Sequence, residues 1–147
     1  MRRRQFLLVI AATAVAPLAE AQSARDVTLY NNPQCGCCEE HAKYLRRHGY
    51  NVTVVPTHDL DRIKSDHGVP EPLYGCHTIL VGGYVVEGHV SAETLDRLLR
   101  ERPALRGISL PGMPPGSPGM TGRKREPFKI YEIARQPAGE PRVYATE

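Results

Sequence analysis

Three of the four cysteines in this 147-residue chain fall within four positions, Cys35-Gly36-Cys37-Cys38, where the residue pattern changes character. Before them, Val27-Thr28-Leu29-Tyr30 is a short β-branched and apolar run, which predicts a strand. Asn31-Asn32-Pro33-Gln34 is turn chemistry. After them, Gly36 to His48 consists mostly of good helix formers, and Gly49 stops the run. Cys35 and Cys38 therefore make a C-x-x-C pair at a strand-to-helix junction. Few small folds place such a pair there.

The following residues narrow the choice. Tyr50–Val55 predicts a second strand, ended by Pro56, and Asp59–His67 a short helix with acidic residues at its start. Val69–Gly75 is a loop. Thr78–Val81 and Tyr84–Glu87 are two strands joined by Gly82-Gly83, a strong hairpin signal. Ser91 can cap a helix running to about Arg102, with Leu95, Leu98 and Leu99 on one face and Pro103 ending it. The order β-α-β-α-β-β-α predicts an α/β protein with a thioredoxin-like mixed β-sheet flanked by helices, over residues 22–110. Residues 111–147 read as a Pro/Gly/Met-rich segment and C-terminal extension packed on that domain. Pro111–Met120 holds four Pro, three Gly and two Met, so it is neither helix nor central strand. Phe128–Ile133 is one further candidate strand, and the end of the chain reads as loose.

Residues 1–21 read as an export signal. Arg2–Arg4 are a basic start, Phe6–Ala16 a short apolar run, and Ala19-Glu20-Ala21 a small-x-small cleavage site. Arg3-Arg4-Gln5-Phe6-Leu7 also has the look of a twin-arginine signal, with the general secretory route as the alternative. The expectation is a periplasmic protein with no stable membrane insertion once the signal is cleaved. Without those residues the net charge of +3 falls to +1, because three arginines and Glu20 leave together. A nearly neutral chain with no basic stripe argues against nucleic-acid binding.

At the start of a helix, unpaired N–H groups and the helix dipole favour thiolates, which are both nucleophiles and soft-metal ligands. Cys76, in Gly75-Cys76-His77-Thr78, opens the third strand. The fold would bring it and His77 against Cys35–Cys38. Three uses of these thiols compete. As structural staples they are poor, since a Cys35–Cys38 loop restrains the unfolded chain little. As a redox dithiol, Cys35 is the nucleophile and Cys38 the resolving thiol, which leaves Cys37 without a task. As a soft-metal site, Cys35, Cys37, Cys38 and Cys76 together suit Cu(I), with Zn(II) as the alternative. His41 lies three residues after Cys38 and shares its helix face. His41, His77 and His89 are thus candidates either as metal ligands or as groups supporting the ligands. His48 and His67 each precede a glycine at a helix end, where they complement the dipole. Met113 and Met120 carry soft thioethers, with gap-filling as the plainer reading.

Tyr30-Asn31-Asn32-Pro33-Gln34-Cys35-Gly36-Cys37-Cys38, Gly75-Cys76-His77-Thr78, Val86-Glu87-Gly88-His89-Val90 and the Pro111–Met120 segment, in that order, resemble the CopG-type family of periplasmic metal-binding proteins associated with copper resistance. The resemblance covers roughly Val27 to Met120. It implies a thioredoxin-like fold and copper binding through Cys35, Cys37, Cys38 and Cys76. The family tends to carry an aromatic residue where His41 stands, which raises His41 as an extra ligand or proton carrier. The function expected is that of a Cu(I)-binding protein of copper resistance or homeostasis, with a small thiolate-bridged cluster as one form of the bound metal. Its partners would be copper ions and other periplasmic copper-handling proteins. A thiol-disulfide oxidoreductase using Cys35 and Cys38 is the enzymatic alternative, and a zinc-binding module the passive one.

Overall fold

The computed structural model describes residues 24–136 and 139–147, so the export signal read in residues 1–21 lies outside the described residues. The described residues form seven strands and three α-helices. They are β1 Asp26–Asn31, α1 Gly36–Arg47, β2 Asn51–Pro56, α2 Leu60–Asp66, β3 Thr78–Val81, β4 Tyr84–Glu87, α3 Ala92–Glu101, β5 Gly107–Ser109, β6 Lys129–Ile133 and β7 Val143–Thr146. A short 3₁₀ turn at Glu71–Leu73 links α2 to β3. The strands form one mixed sheet in the order β2-β1-β3-β4-β5-β6-β7. β1 runs parallel to β2 through the α1 crossover and antiparallel to β3, and β3 pairs antiparallel with β4. These four strands, with α1, α2 and α3, have the β-α-β-α-β-β-α order that the sequence predicts.

Local chemistry explains the boundaries. Asn32 accepts the Gln34 N–H on its side chain and the Cys35 N–H on its carbonyl, so the turn delivers Cys35 to the N-cap of α1. The hairpin between β3 and β4 uses Gly82 and Gly83 with φ of 54° and 85°, the paired positive values of a two-residue turn that twists with its strands. Ser91 accepts the Thr94 N–H at 3.2 Å and caps α3.

The main core lies on one face of the sheet. Val27, Leu29, Ile79, Val81, Val86, Ile108 and Ile130 meet Cys38, Ala42 and Leu45 of α1 and Leu95 and Leu98 of α3 there. A smaller cluster on the other face joins Val85 and Ile133 to Val69 and Leu73. Because both faces of β4 are covered, all four of its residues are buried, Glu87 included.

Beyond Pro103 the structure differs from the sequence expectation. β5 runs parallel to β4, and β6 and β7 extend the sheet antiparallel from it. The end is not loose. Phe128 and Glu147 exchange backbone hydrogen bonds, and the Glu147 carboxylate accepts from the Ser91 hydroxyl at 2.6 Å. β5 has three residues and β7 four, too few for a recognisable alternation, and each depends on its neighbour for pairing. Pro111–Met120 forms neither helix nor strand and meets the segment just before β3 through an isolated bridge between Gly112 and Gly75.

Candidate metal centre

Cys35 is the N-cap of α1, and Cys37 and Cys38 lie in its first turn. Cys76 stands two residues before β3, the strand antiparallel to β1, so β1–α1 and the start of β3 bring all four cysteines together. The Cys76 sulfur lies 3.4 Å from each of the sulfurs of Cys35, Cys37 and Cys38, and Cys35 and Cys37 are 3.4 Å apart. Each of the four sulfurs is within 4.8 Å of the others. Cys35 and Cys38 are joined as a disulfide, and Cys37 and Cys76 are free thiols. Cys38 is buried and the other three are partly exposed. The site thus has a protein-facing floor and an open side.

The helix start was expected to favour thiolates. At Cys76 the opposite effect dominates. Burial, then the hydrogen bond and charge of Cys37, push its thiol up to about 12, against a smaller downward pull from Lys64. The site without metal therefore keeps Cys76 protonated.

A buried network that the sequence did not reveal holds the backbone beside Cys76. Lys64, 3% exposed, pairs with Glu87, 0% exposed, at 2.5 Å. Lys64 also donates to the Gly75 carbonyl at 3.1 Å and to the Thr78 hydroxyl at 3.2 Å. Glu87 accepts from the Thr78 hydroxyl and from the Gly75 N–H at 3.0 Å. Both polar groups of Gly75, the residue before Cys76, are thus fixed by this pair. Burial pushes the Glu87 carboxyl up, and Lys64, Thr78 and Gly75 oppose that shift. Only the spacing of Glu87 opposite Thr78 across the hairpin hinted at the arrangement, and Lys64 gave no signal on a seven-residue helix.

The candidate histidines gather with one another. His41, His77 and His89 are all fully buried, and one ring nitrogen from each lies within 4.8 Å of the others. The rings of His41 and His77 meet at 2.8 Å, Nδ1 to Nε2. His77 was expected to face the cysteines beside Cys76. It turns instead toward His41 and His89, as neighbours in extended chain point to opposite sides. His48 and His67 stand at the C-caps of α1 and α2, and His48 Nδ1–H donates to the Tyr44 carbonyl at 2.8 Å. Met113 is 58% exposed, and Met120, half-buried, closes a turn by donating its N–H to the Ser117 carbonyl.

The donor set suits a soft ion. Four cysteine sulfurs within one ion's reach can act as thiolates once the disulfide is reduced, and thiolates select Cu(I) or Zn(II). Among the described residues no helix is long and apolar enough to cross a membrane.

Residues 73–120 match a family model described as a protein of unknown function, DUF411. That stretch contains Cys76, His77, His89, Met113 and Met120. No curated protein matches the chain. Two solved structures, Form 1 and Form 2 of "Copper resistance protein copG", match with 36% identity and a TM-score of 0.75. They cover 83% of this chain and 96% and 97% of theirs. With a mixed α/β fold in common over most of both chains, and more than a third of the aligned residues identical, the chain belongs to the family of the copper resistance protein CopG.

Proposed function

We propose that this protein is a periplasmic copper-binding protein of copper resistance, which takes Cu(I) on Cys35, Cys37, Cys38 and Cys76. One observation carries the reading: the Cys76 sulfur is 3.4 Å from each of the three sulfurs contributed by the start of α1. A redox dithiol needs two of these sulfurs, whereas a thiolate cage uses all four. Thiolate sulfur can bridge Cu(I) ions, so the four ligands have the capacity for a small cluster. The resemblance of residues 1–21 to an export signal supports the periplasmic location.

Reduced protein without residues 1–21, handled without oxygen, should bind more than one Cu(I) in competition with a Cu(I) chelator. Cys37→Ser or Cys76→Ser should abolish that uptake. Failure of the reduced protein to take copper from the chelator overturns the reading.

The Cys35–Cys38 disulfide favours a second reading, a thiol-disulfide oxidoreductase. In that chemistry a Cys35 thiolate attacks a substrate disulfide and releases one thiolate. Cys38 then displaces the second thiol as the Cys35–Cys38 bond forms. Turnover that survives Cys37→Ser and Cys76→Ser supports this reading over the metal cage.

A further inference from the structure

The histidine cluster has a protonation pattern that its contacts fix. Carbonyl oxygens only accept, so His41 must donate from Nε2 to the Val90 carbonyl, at 3.0 Å. His89 must likewise donate from Nδ1 to the Pro118 carbonyl, at 2.7 Å. The three rings are fully buried and packed against one another, an environment that disfavours a charge on any of them. His41 Nδ1 is then a bare lone pair, and it accepts the Nε2–H of His77. Among the described residues, His77 Nδ1 and His89 Nε2 are left as buried lone pairs without a hydrogen-bond partner. An unpaired polar atom in a dry interior is costly, and the His89 lone pair beside two other imidazoles calls for an account.

A ring whose far N–H is held by a backbone carbonyl, with its near nitrogen bare, is arranged as metal-ligating histidines are. His41 and His89 both have this arrangement. Ligand nitrogens about 2.0 Å from a tetrahedral ion stand roughly 3.3 Å apart. The closest pair here is 2.8 Å apart, and all three nitrogens lie within 4.8 Å. The set is three neutral imidazoles with no charged ligand, a donor chemistry suited to Zn(II) and to either oxidation state of copper.

We propose that His41, His77 and His89 form a second metal site, separate from the four sulfurs, which takes one Zn(II) or copper ion on nitrogen alone. His41 binds through Nδ1 and His89 through Nε2. His77 turns its Nε2 to the ion, and its proton moves to Nδ1, the nitrogen that now has no partner. No proton is released overall. The Pro/Gly segment covers the site, with Pro118 holding His89 and Gly119 lying against the backbone of His41. A metal reaches the site when that segment lifts.

The test uses the full chain with all four cysteines changed to serine, which separates this proposal from the thiolate reading. Titrated with Cu(II), it should bind one ion per chain, with spin-resonance hyperfine structure from three nitrogens. Zn(II) should compete for the same site. His41→Phe in that background should weaken binding by roughly 100-fold or more. A four-serine chain that folds and binds neither metal, or binds as well after His41→Phe, overturns the proposal. It would leave the trio as a hydrogen-bonded part of the core. If the four-serine chain does not fold, the natural chain is loaded with copper and then given Zn(II). His41→Phe should lose one ion per chain and its nitrogen scattering while the sulfur scattering persists. Unchanged metal content and scattering overturn the proposal equally.

Discussion

At the scale of single residues, the pair Lys64–Glu87 sets the position of Cys76. Its charges are buried, and three polar groups of Gly75 and Thr78 complete their hydrogen bonding. An isosteric apolar pair in its place would be nearly neutral for stability, but removing one partner strands a buried charge. Lys64→Met should therefore lower the unfolding free energy by about 3–5 kcal/mol, read as a shift in urea midpoint. A loss below ~1 kcal/mol would mean that the pair adds nothing a surface ion pair would not. None of this was legible from the residues one at a time. Glu87 ends a strand and Lys64 lies in a helix 23 positions earlier, and only the fold places a lysine in the interior beside it.

At the scale of elements, α1 carries two kinds of chemistry on one helix. Its first turn presents Cys37 and Cys38, and one turn later His41 faces the interior. The sequence put His41 on the helix face of Cys37 and Cys38, because positions three and four apart share a face, and the fold turns its ring to His77 and His89. It did not reveal that Pro118 and Gly119 close over the histidines, since that contact crosses 78 positions of chain from Gly119 to His41. Desolvation holds His41 at about 3, with the neighbouring His89 adding to the effect, and it also lowers His77 and His89. Below an ordinary histidine value of ~6.5, the unfolded chain takes up protons that the folded chain refuses. Metal-free protein should therefore lose stability as pH falls from about 6.5 toward 3, by up to ~1.4 kcal/mol per pH unit for each such histidine. Lys64 adds to this trend at His77, whose pKa it lowers further. Thermal melts between pH 7 and pH 5 check this. His41→Phe should flatten the slope by about one proton, and an unchanged slope would mean that His41 already carries its proton in the folded state.

At the scale of the whole molecule, the sheet is wider than its strand signals. β5 is a three-residue strand, and it joins the four-stranded core to β6 and β7. Ile130 of β6 is fully buried with Leu29, Ile79 and Ile108 in the main cluster. Ile130→Ala should therefore cost about 2–5 kcal/mol, as at any core position, and denaturant unfolding should remain one transition. A cost near zero, or a separate early transition, would mean that β6 is only loosely attached to the rest of the sheet.

The sequence by itself determined the features that depend on near neighbours. These are the C-x-x-C at the start of α1, the Gly82-Gly83 hairpin, the Ser91 cap and the strand and helix order as far as Arg102. Each is set by backbone preferences or side-chain spacing within a few residues. The tertiary structure decided what long-range contact controls. It brought Cys76 within 3.4 Å of three other sulfurs and turned His77 away from them toward His41 and His89. It also gave β5 and β7 their pairing partners. Such short strands carry too little pattern to be read alone, because their hydrogen bonds and burial come from strands far away in the chain.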